Sequence, residues 1–393
     1  MTTELLQKMN IDKSNWTLVK FGDVVYEPKE NMKDASAEEI FHVVGLEHID
    51  SGDIHLIKSA SIEESTTFTK KFKKNDVLFG RRRAYLKKAA QASFDGICSG
   101  DITVFRAKEN LLPEILAFIV NNDKFFDYAI KHSAGGLSPR VKFRDLEQYE
   151  FLLPPKQEQS KIAELLWAMD DVIEREKEIL KNLKKIYLLK VEKQLINKKN
   201  KKIYFKDLGK VIRGVGYKPE DLLDCYNDNN CVILRSNNIF ESNINFDDIK
   251  ILSLKNVKKE QILIDGDFAI CMSNGSKELV GKSALYISKD MNVSIGSFCA
   301  GFRPNSILSR DLIEHLFASE SYRQAIKRIL TGSAINNLKP SDIEEMSLRI
   351  ENDKGILANL LLELKLISNN MLQLDSKIRS SQLLQKSLIN QVF

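Results

Sequence analysis

Leu153-Pro154-Pro155-Lys156-Gln157-Glu158-Gln159 opens a run that continues to Asn200 without another proline or glycine. Proline has no N–H to lose in a first helical turn and disfavours helix just before itself, so the pair marks a helix start. Apolar residues then fall at Ile162, Leu166, Met169, Ile173, Leu180, Leu183 and Tyr187, with Glu176 in the one gap. Steps of four and three make an a/d seam, the pattern of a helix packed lengthwise on another helix. At ~1.5 Å per residue the run predicts a helix roughly 60–70 Å long, which requires a partner. Glu176 and Lys190 interrupt the seam.

The partner is in the same chain. Leu357, Leu360, Leu364, Ile367, Met371, Leu374 and Ile378 keep a strict heptad, which weakens at Ser381 and Gln385 and resumes at Leu388 and Val392. An antiparallel intramolecular pair buries both stripes and leaves one globular domain at each end. The competing arrangement joins two chains through their helices; the internal repeat described next favours the first.

Before Leu153, short β-like runs (Phe41 to Leu46, Asp76 to Phe79, Asp101 to Arg106) alternate with Gly, Asp and Lys clusters. Trp16 to Val25 reads as an entry strand or turn, and residues 1–15 as a loose or helical arm. Pro113 starts a helix, Asp123 to His132 forms another, and Tyr149 to Leu153 is a strand. After Asn200 the order starts over. Phe205 to Ile212 echoes Leu18 to Val25, Val232 to Arg235 stands for Phe41 to Val44, and Asp265 to Ile270 for Asn75 to Phe79. Gly301-Phe302-Arg303 matches Val104-Phe105-Arg106, the helix Asp311 to Ala318 matches the one at Pro113, and Asp342-Ile343 matches Asp145-Leu146. The reading is α+β: two similar mixed α/β domains at 1–153 and 203–350, separated by long coiled-coil helices at 154–202 and 351–393 in a pseudo-twofold repeat.

With 393 residues, two or three domains with real cores are possible; 43% hydrophobic and 29% charged residues exclude a disordered chain. No apolar run reaches the ~18 residues of a membrane span, and Met1 to Asn10 lack a basic region followed by an apolar core, so neither a span nor a signal peptide is expected. The five cysteines (98, 225, 231, 271, 299) are irregularly spaced and make no metal pattern with the histidines. Reduced thiols and a cytoplasmic location follow. A net charge of +5 permits a nucleic-acid partner without demanding one.

Catalytic signatures are missing. There is no P-loop, Gly214-Val215-Gly216 lacks the third glycine of a dinucleotide fingerprint, and no G-x-S-x-G occurs. Leu153-Pro154-Pro155-Lys156 lacks the flanks of an amino-methyltransferase motif. The E-x-K triplets at Glu27 and Glu363 have no acidic strand around them. Binding is the function class that remains.

Three features suit nucleic acid. Arg81, Arg82, Arg83, Tyr85, Lys87 and Lys88 place five positive charges and an aromatic in one short run, able to follow phosphates and set an Arg at a guanine edge. Gly135, Gly136, Ser138, Arg140 and Lys142 form a small-residue loop with a basic end, open to close phosphate approach. In the second copy Asn274, Ser276, Lys277 and Lys282 replace the arginine run, and Ser333, Asn336, Asn337 and Lys339 replace the glycine loop. These are less charged but richer in Asn, which reads adenine bidentately. The plain alternatives are a solvated strand and turn, and for Asn274-Gly275 a hairpin turn.

The layout, with Leu153-Pro154-Pro155-Lys156-Gln157-Glu158-Gln159-Ser160-Lys161-Ile162-Ala163-Glu164 and then Asp170-Asp171-Val172-Ile173, resembles the specificity subunit of type I restriction–modification systems over essentially the whole chain. The second copy departs from the motif: Leu348-Arg349-Ile350-Glu351-Asn352 has neither Pro-Pro nor Glu-Gln. The resemblance implies a subunit without catalysis or cofactor of its own that chooses an asymmetric bipartite duplex DNA target. It implies two methylation subunits carrying S-adenosylmethionine and two restriction subunits using ATP and Mg. A different class, a two-headed coiled-coil scaffold for proteins, would leave the basic runs as solvated surface.

Overall fold

The computed structural model describes residues 11–32, 41–61, 67–240, 242–331 and 336–393. The chain divides into two compact units: residues up to Glu178 with Asp375–Phe393, and Ile179–Leu374. Each unit holds one head and a stretch of both long helices.

In the first unit a five-stranded sheet runs in the order Val25–Tyr26, Ile102–Ala107, Val77–Gly80, Ala89–Ala92, His55–Leu56. A three-stranded sheet has Gly96–Cys98 between Val43–Val44, parallel to it, and Lys70–Phe72, antiparallel. Thr17–Lys20 pairs with Glu150–Leu153, closing the head where the helix begins. The helix Pro113–Val120 packs its apolar residues, Ile115 to Val120, wholly into the core, together with Phe21, Phe79, Phe105 and Phe125. The strand at Phe41 to Leu46 shortens to Val43–Val44 because Leu46–His48 turns as a 3-10 helix.

The second unit repeats this plan. Gly209–Arg213, Cys299–Pro304, Phe268–Cys271 and Ser283–Leu285 form one sheet, and Val293–Ile295 lies parallel to Asn230–Leu234 in another. From Gly96–Cys98 to Glu150–Leu153 the matched strands follow at one constant offset, 197 residues (299 − 102). The match also reaches side chains. Asp76 and Asp267, both buried, each take a fork from an arginine, Arg106 at 2.7 Å and Arg303 at 2.7 Å. Each aspartate also accepts a backbone N–H from its own turn, Lys73 and Ile264. The residue before each, Asn75 and Gly266, has a left-handed backbone. The entry motif aligns differently from the sequence echo: the helical turns Phe21–Val24 and Phe205–Leu208 coincide, so Gly209 falls opposite Val25, not Gly22.

The first long helix spans Lys156–Lys190, about 50 Å, and is shorter than its pattern suggested. A wider turn at Val191–Leu195 ends it, and Ile196–Tyr204 becomes a strand paired with Ser347–Ile350. The second helix, Lys354–Val392, keeps every expected seam position buried or half-buried. Inside the first unit Gln385 donates to the Leu166 carbonyl and Lys377 meets Glu176 at 2.7 Å; inside the second, Lys190 meets Glu363 at 2.8 Å. Numbers fall on one helix as they rise on the other, so the pairing is antiparallel within one chain. Glu176 and Lys190 both turn toward the other helix. Each is ion-paired to the other helix, and Glu176 is buried.

The Gln157-Glu158-Gln159 stretch now has a physical role. Glu158 accepts from Trp16 Nε1 at 2.7 Å and Asn15 Nδ2 at 2.6 Å. Buried Gln159 accepts from the Leu112 N–H and donates to the Asn110 and Pro154 carbonyls. The helix start is thereby fastened to the head it leaves. At the other end, Asn122 donates to the Ile389 carbonyl and Asp123 exchanges hydrogen bonds with Asn390. All the cysteines are free thiols.

Candidate nucleic-acid interface

The strand Val77–Gly80 delivers the arginine run to the edge of the first head. Two main-chain hydrogen bonds fix it there: Arg81 N–H to the Asp101 carbonyl at 3.0 Å, and Val141 N–H to the Arg81 carbonyl at 3.1 Å. Arg82 and Arg140 then lie opposite each other in a bridge, so the run and the glycine loop are brought together. Asp101, absent from the sequence candidates, stands between them. Its carboxylate accepts from Arg140 Nε at 2.7 Å and Arg82 Nη1 at 3.2 Å. Burial alone would raise the Asp101 carboxyl; the two arginines outweigh it and hold it below the ordinary carboxylate value. Ser138 Oγ accepts from Arg82 at 3.2 Å and Arg83 at 3.4 Å. The result is a pre-oriented guanidinium pair on the surface, with exposed Arg83, Lys142 and Tyr85 beside it.

The glycine loop is closed by a reciprocal Ala134–Arg140 backbone pair at 2.9 Å. Gly135 sits at φ 118°, open to glycine and strained for other residues, and a side chain at Gly136 would meet only open space. Leu137 at the tip is 98% exposed. Lys87 and Lys88 turn inward instead. Lys88 donates to the Leu46 carbonyl, and Lys87 meets Asp123 at 2.6 Å. Burial would raise Asp123, but hydrogen bonds from Lys87, Asn390 and Lys386 bring it down to about 2. Lys87 is thus part of the clasp on the second helix.

The second head repeats the frame with other side chains. Met272 N–H donates to the Phe298 carbonyl at 2.9 Å, Leu338 N–H to the Met272 carbonyl at 2.8 Å, and Ser273 bridges Asn337. Asn274, Gly275 and Asn336 are joined, with Asn336 Nδ2 donating to the Gly275 carbonyl at 3.1 Å. Asn274-Gly275 is not a hairpin turn: Asn274 Oδ1 accepts the Ser276 N–H, and the chain continues into the 3-10 helix Lys277–Leu279. Asn274 also donates to Ser236, which lines a cleft of about 550 Å³ with Tyr217, Arg235, Asn237 and Phe298. Sequence reading missed this cleft, because Arg235 to Asn237 belong to no charge cluster. Lys277 and Lys339 are exposed, and Lys282 is half-buried with its carbonyl accepting the Cys271 N–H; Ser333 lies outside the described residues.

Each head meets the first long helix through a histidine. His55 pairs with Asp170 at 2.6 Å, which raises its pKa against the opposing effect of burial. Glu174 lies within 4.8 Å of both and is held by Lys177 at 2.6 Å, so the group is internally charge-paired. In the second unit His315 is buried against the Tyr187 hydroxyl at 2.7 Å, and burial lowers its pKa to about 4.

Residues 13–185 match the family model of the type I restriction modification DNA specificity domain. This stretch is similar to such specificity domains. A 140-residue segment is 36% identical to the StySPI specificity subunit of Salmonella potsdam and 34% identical to the EcoKI specificity subunit of Escherichia coli K12. The match covers 36% of this chain and 30% of each relative, so it spans about a third of either. For the whole chain the likeness is one of fold. A type I S subunit from M. genitalium superposes with a TM-score of 0.58 at 14% identity, over 99% of this chain and 98% of that one. A chain from a study of type I R-M complex assembly and conformational transition gives 0.55 at 17% identity, over 96% and 97%. The fold of the first head therefore recurs in the second half, where little of its sequence remains. Among the described residues no helix is long and apolar enough to cross a membrane.

Proposed function

We propose that the chain is the DNA-recognition subunit of a type I restriction–modification complex, binding a bipartite duplex target with one half-target per head. The observation that carries this is the meeting of the same two loops in both heads, on the same main-chain frame, with surface side chains that differ. Arg82, Arg83 and Arg140 suit phosphates and guanine edges, and the asparagines of the second head suit adenine. The subunit supplies no catalysis and works in the cytoplasm.

Docking of catalytic subunits is supported by the outer face of the first long helix. Leu165, Val172, Ile179 and Ile186 recur every seventh residue and are all about half exposed. A second apolar stripe on a helix whose first stripe is already covered calls for a further helix-bearing partner. In this reading two methylation subunits bring S-adenosylmethionine, and two restriction subunits bring ATP and Mg.

Salt titration tests the DNA reading. Affinity for a selected duplex falls steeply with salt, and Arg82→Ala with Arg140→Ala lowers the log–log slope by roughly 2, one phosphate contact each. A protein scaffold would show no duplex selection and a flat response.

A further inference from the structure

The two heads put different chemistry at three matched positions. Arg82, Asp101 and Arg140 of the first correspond to Ser273, Phe298 and Asn337 of the second, because the same hydrogen bonds and bridge run through them. A charged trio has become a neutral one. Phe298 is 68% exposed, although large apolar side chains on such a rim lose nothing by being replaced with polar ones unless something covers them. It has no hydrogen-bond donor and therefore nothing to offer a phosphate. On a face that meets duplex DNA, an aromatic ring of this kind is suited to an apolar feature of a base edge. The major groove has one, the 5-methyl group of thymine. Around Phe298 the cleft offers Ser236, Ser297 and exposed Asn237, whose Nδ2 donates to Asp248 at 3.0 Å, with Tyr217 behind. Asn274 and Asn336 adjoin it through Ser236 and Gly275. Amide side chains next to an apolar contact are the pairing that distinguishes A·T from G·C, since adenine presents N6 and N7 where its thymine presents the methyl group.

We infer that the second head reads an A·T base pair, with Phe298 as a specificity-determining residue against the thymine methyl group; this rests on the DNA reading above. The cleft receives the base edge, and the neighbouring amides select the adenine. The first head, with Asp101 in the place of Phe298, makes no such contact and reads through guanidinium groups.

The test uses the full chain and the duplex it selects, with each thymine replaced singly by uracil, which pairs identically and lacks the methyl group. One replacement should weaken wild-type binding roughly fourfold, the value of one buried methyl-sized group. Phe298→Ala should lose about the same and become indifferent to that uracil. Phe298→Leu, which keeps an apolar contact, should remain sensitive, as should Arg140→Ala in the other head. Phe298 is exposed, so thermal unfolding of these variants should match the wild type. A wild-type chain indifferent to every uracil, or a Phe298→Ala variant still sensitive at the same thymine, overturns the inference while leaving DNA recognition standing. A chain that selects no duplex overturns both.

Discussion

The two heads agree where their side chains hold the fold and differ where they face outward. Asp76–Arg106 and Asp267–Arg303 are the same buried pair in the same turn. A short distance along the same sheets, Asp101 has become Phe298 and Arg140 has become Asn337. The divergence is thus not uniform drift. Positions that satisfy a buried charge are fixed by the cost of leaving its partner unpaired. Positions at the surface, where a charge that loses its partner stays in contact with water, carry no such constraint.

The agreement is the side that can be broken hardest. Asp267→Ala leaves Arg303 without its carboxylate and should cost about 3–5 kcal/mol. Asp76→Ala should cost less, since Arg106 keeps Glu30 at 2.7 Å. Both tryptophans, Trp16 and Trp167, lie in the first unit, so their fluorescence follows that unit in urea while circular dichroism follows both. Equal losses would show that Glu30 contributes nothing to the pair.

A smaller effect separates the junction histidines by pH. His315 titrates at about 4 when folded and near 6.5 when unfolded. Its contribution is present above about 6.5 and is lost as pH falls toward 4, about 3 kcal/mol in all. His315→Gln should flatten that acid loss in the second unit. His55 is shifted the other way by Asp170, so its contribution is present below about 6.5 and disappears as pH rises through its elevated pKa. Tryptophan-monitored unfolding should therefore weaken on the alkaline side, and His55→Gln should remove that slope.

The smallest effect belongs to the outward trio. Asp101→Asn should lower stability by less than about 1 kcal/mol, because the pair it forms with Arg82 and Arg140 is at the surface. DNA affinity should change more than stability does. A large stability loss would place Asp101 among the fold-supporting positions.

How much of this was legible follows from which forces act locally. The heptads were, since the seam is a property of spacing: Leu360, Leu364, Ile378, Leu388 and Val392 are all buried where the pattern put them. The end of the first helix was not. Nothing between Lys190 and Asn200 forbids helix; the strand Ile196–Tyr204 exists because Ser347–Ile350, far away in sequence, pairs with it. The arginine run and glycine loop were both visible, but Lys87 and Lys88 look no different from Arg82 until Asp123 and the Leu46 carbonyl are placed beside them. Asp101 was hidden by its sign, an acid in a site sought by positive charge. The available signal was the 197-residue offset, which carries one residue back from Ile102 and Cys299 to set Asp101 opposite Phe298.

The main-chain bonds through Arg81 and Met272 have an evolutionary consequence. They hold each pair of loops in register whatever side chains stand at 101, 140, 298 and 337. If the heads read DNA as proposed, a substitution there changes which duplex is selected and leaves the main-chain frame of the head in place. A new preference can then arise through a few substitutions at surface positions, without the loops having to be rebuilt.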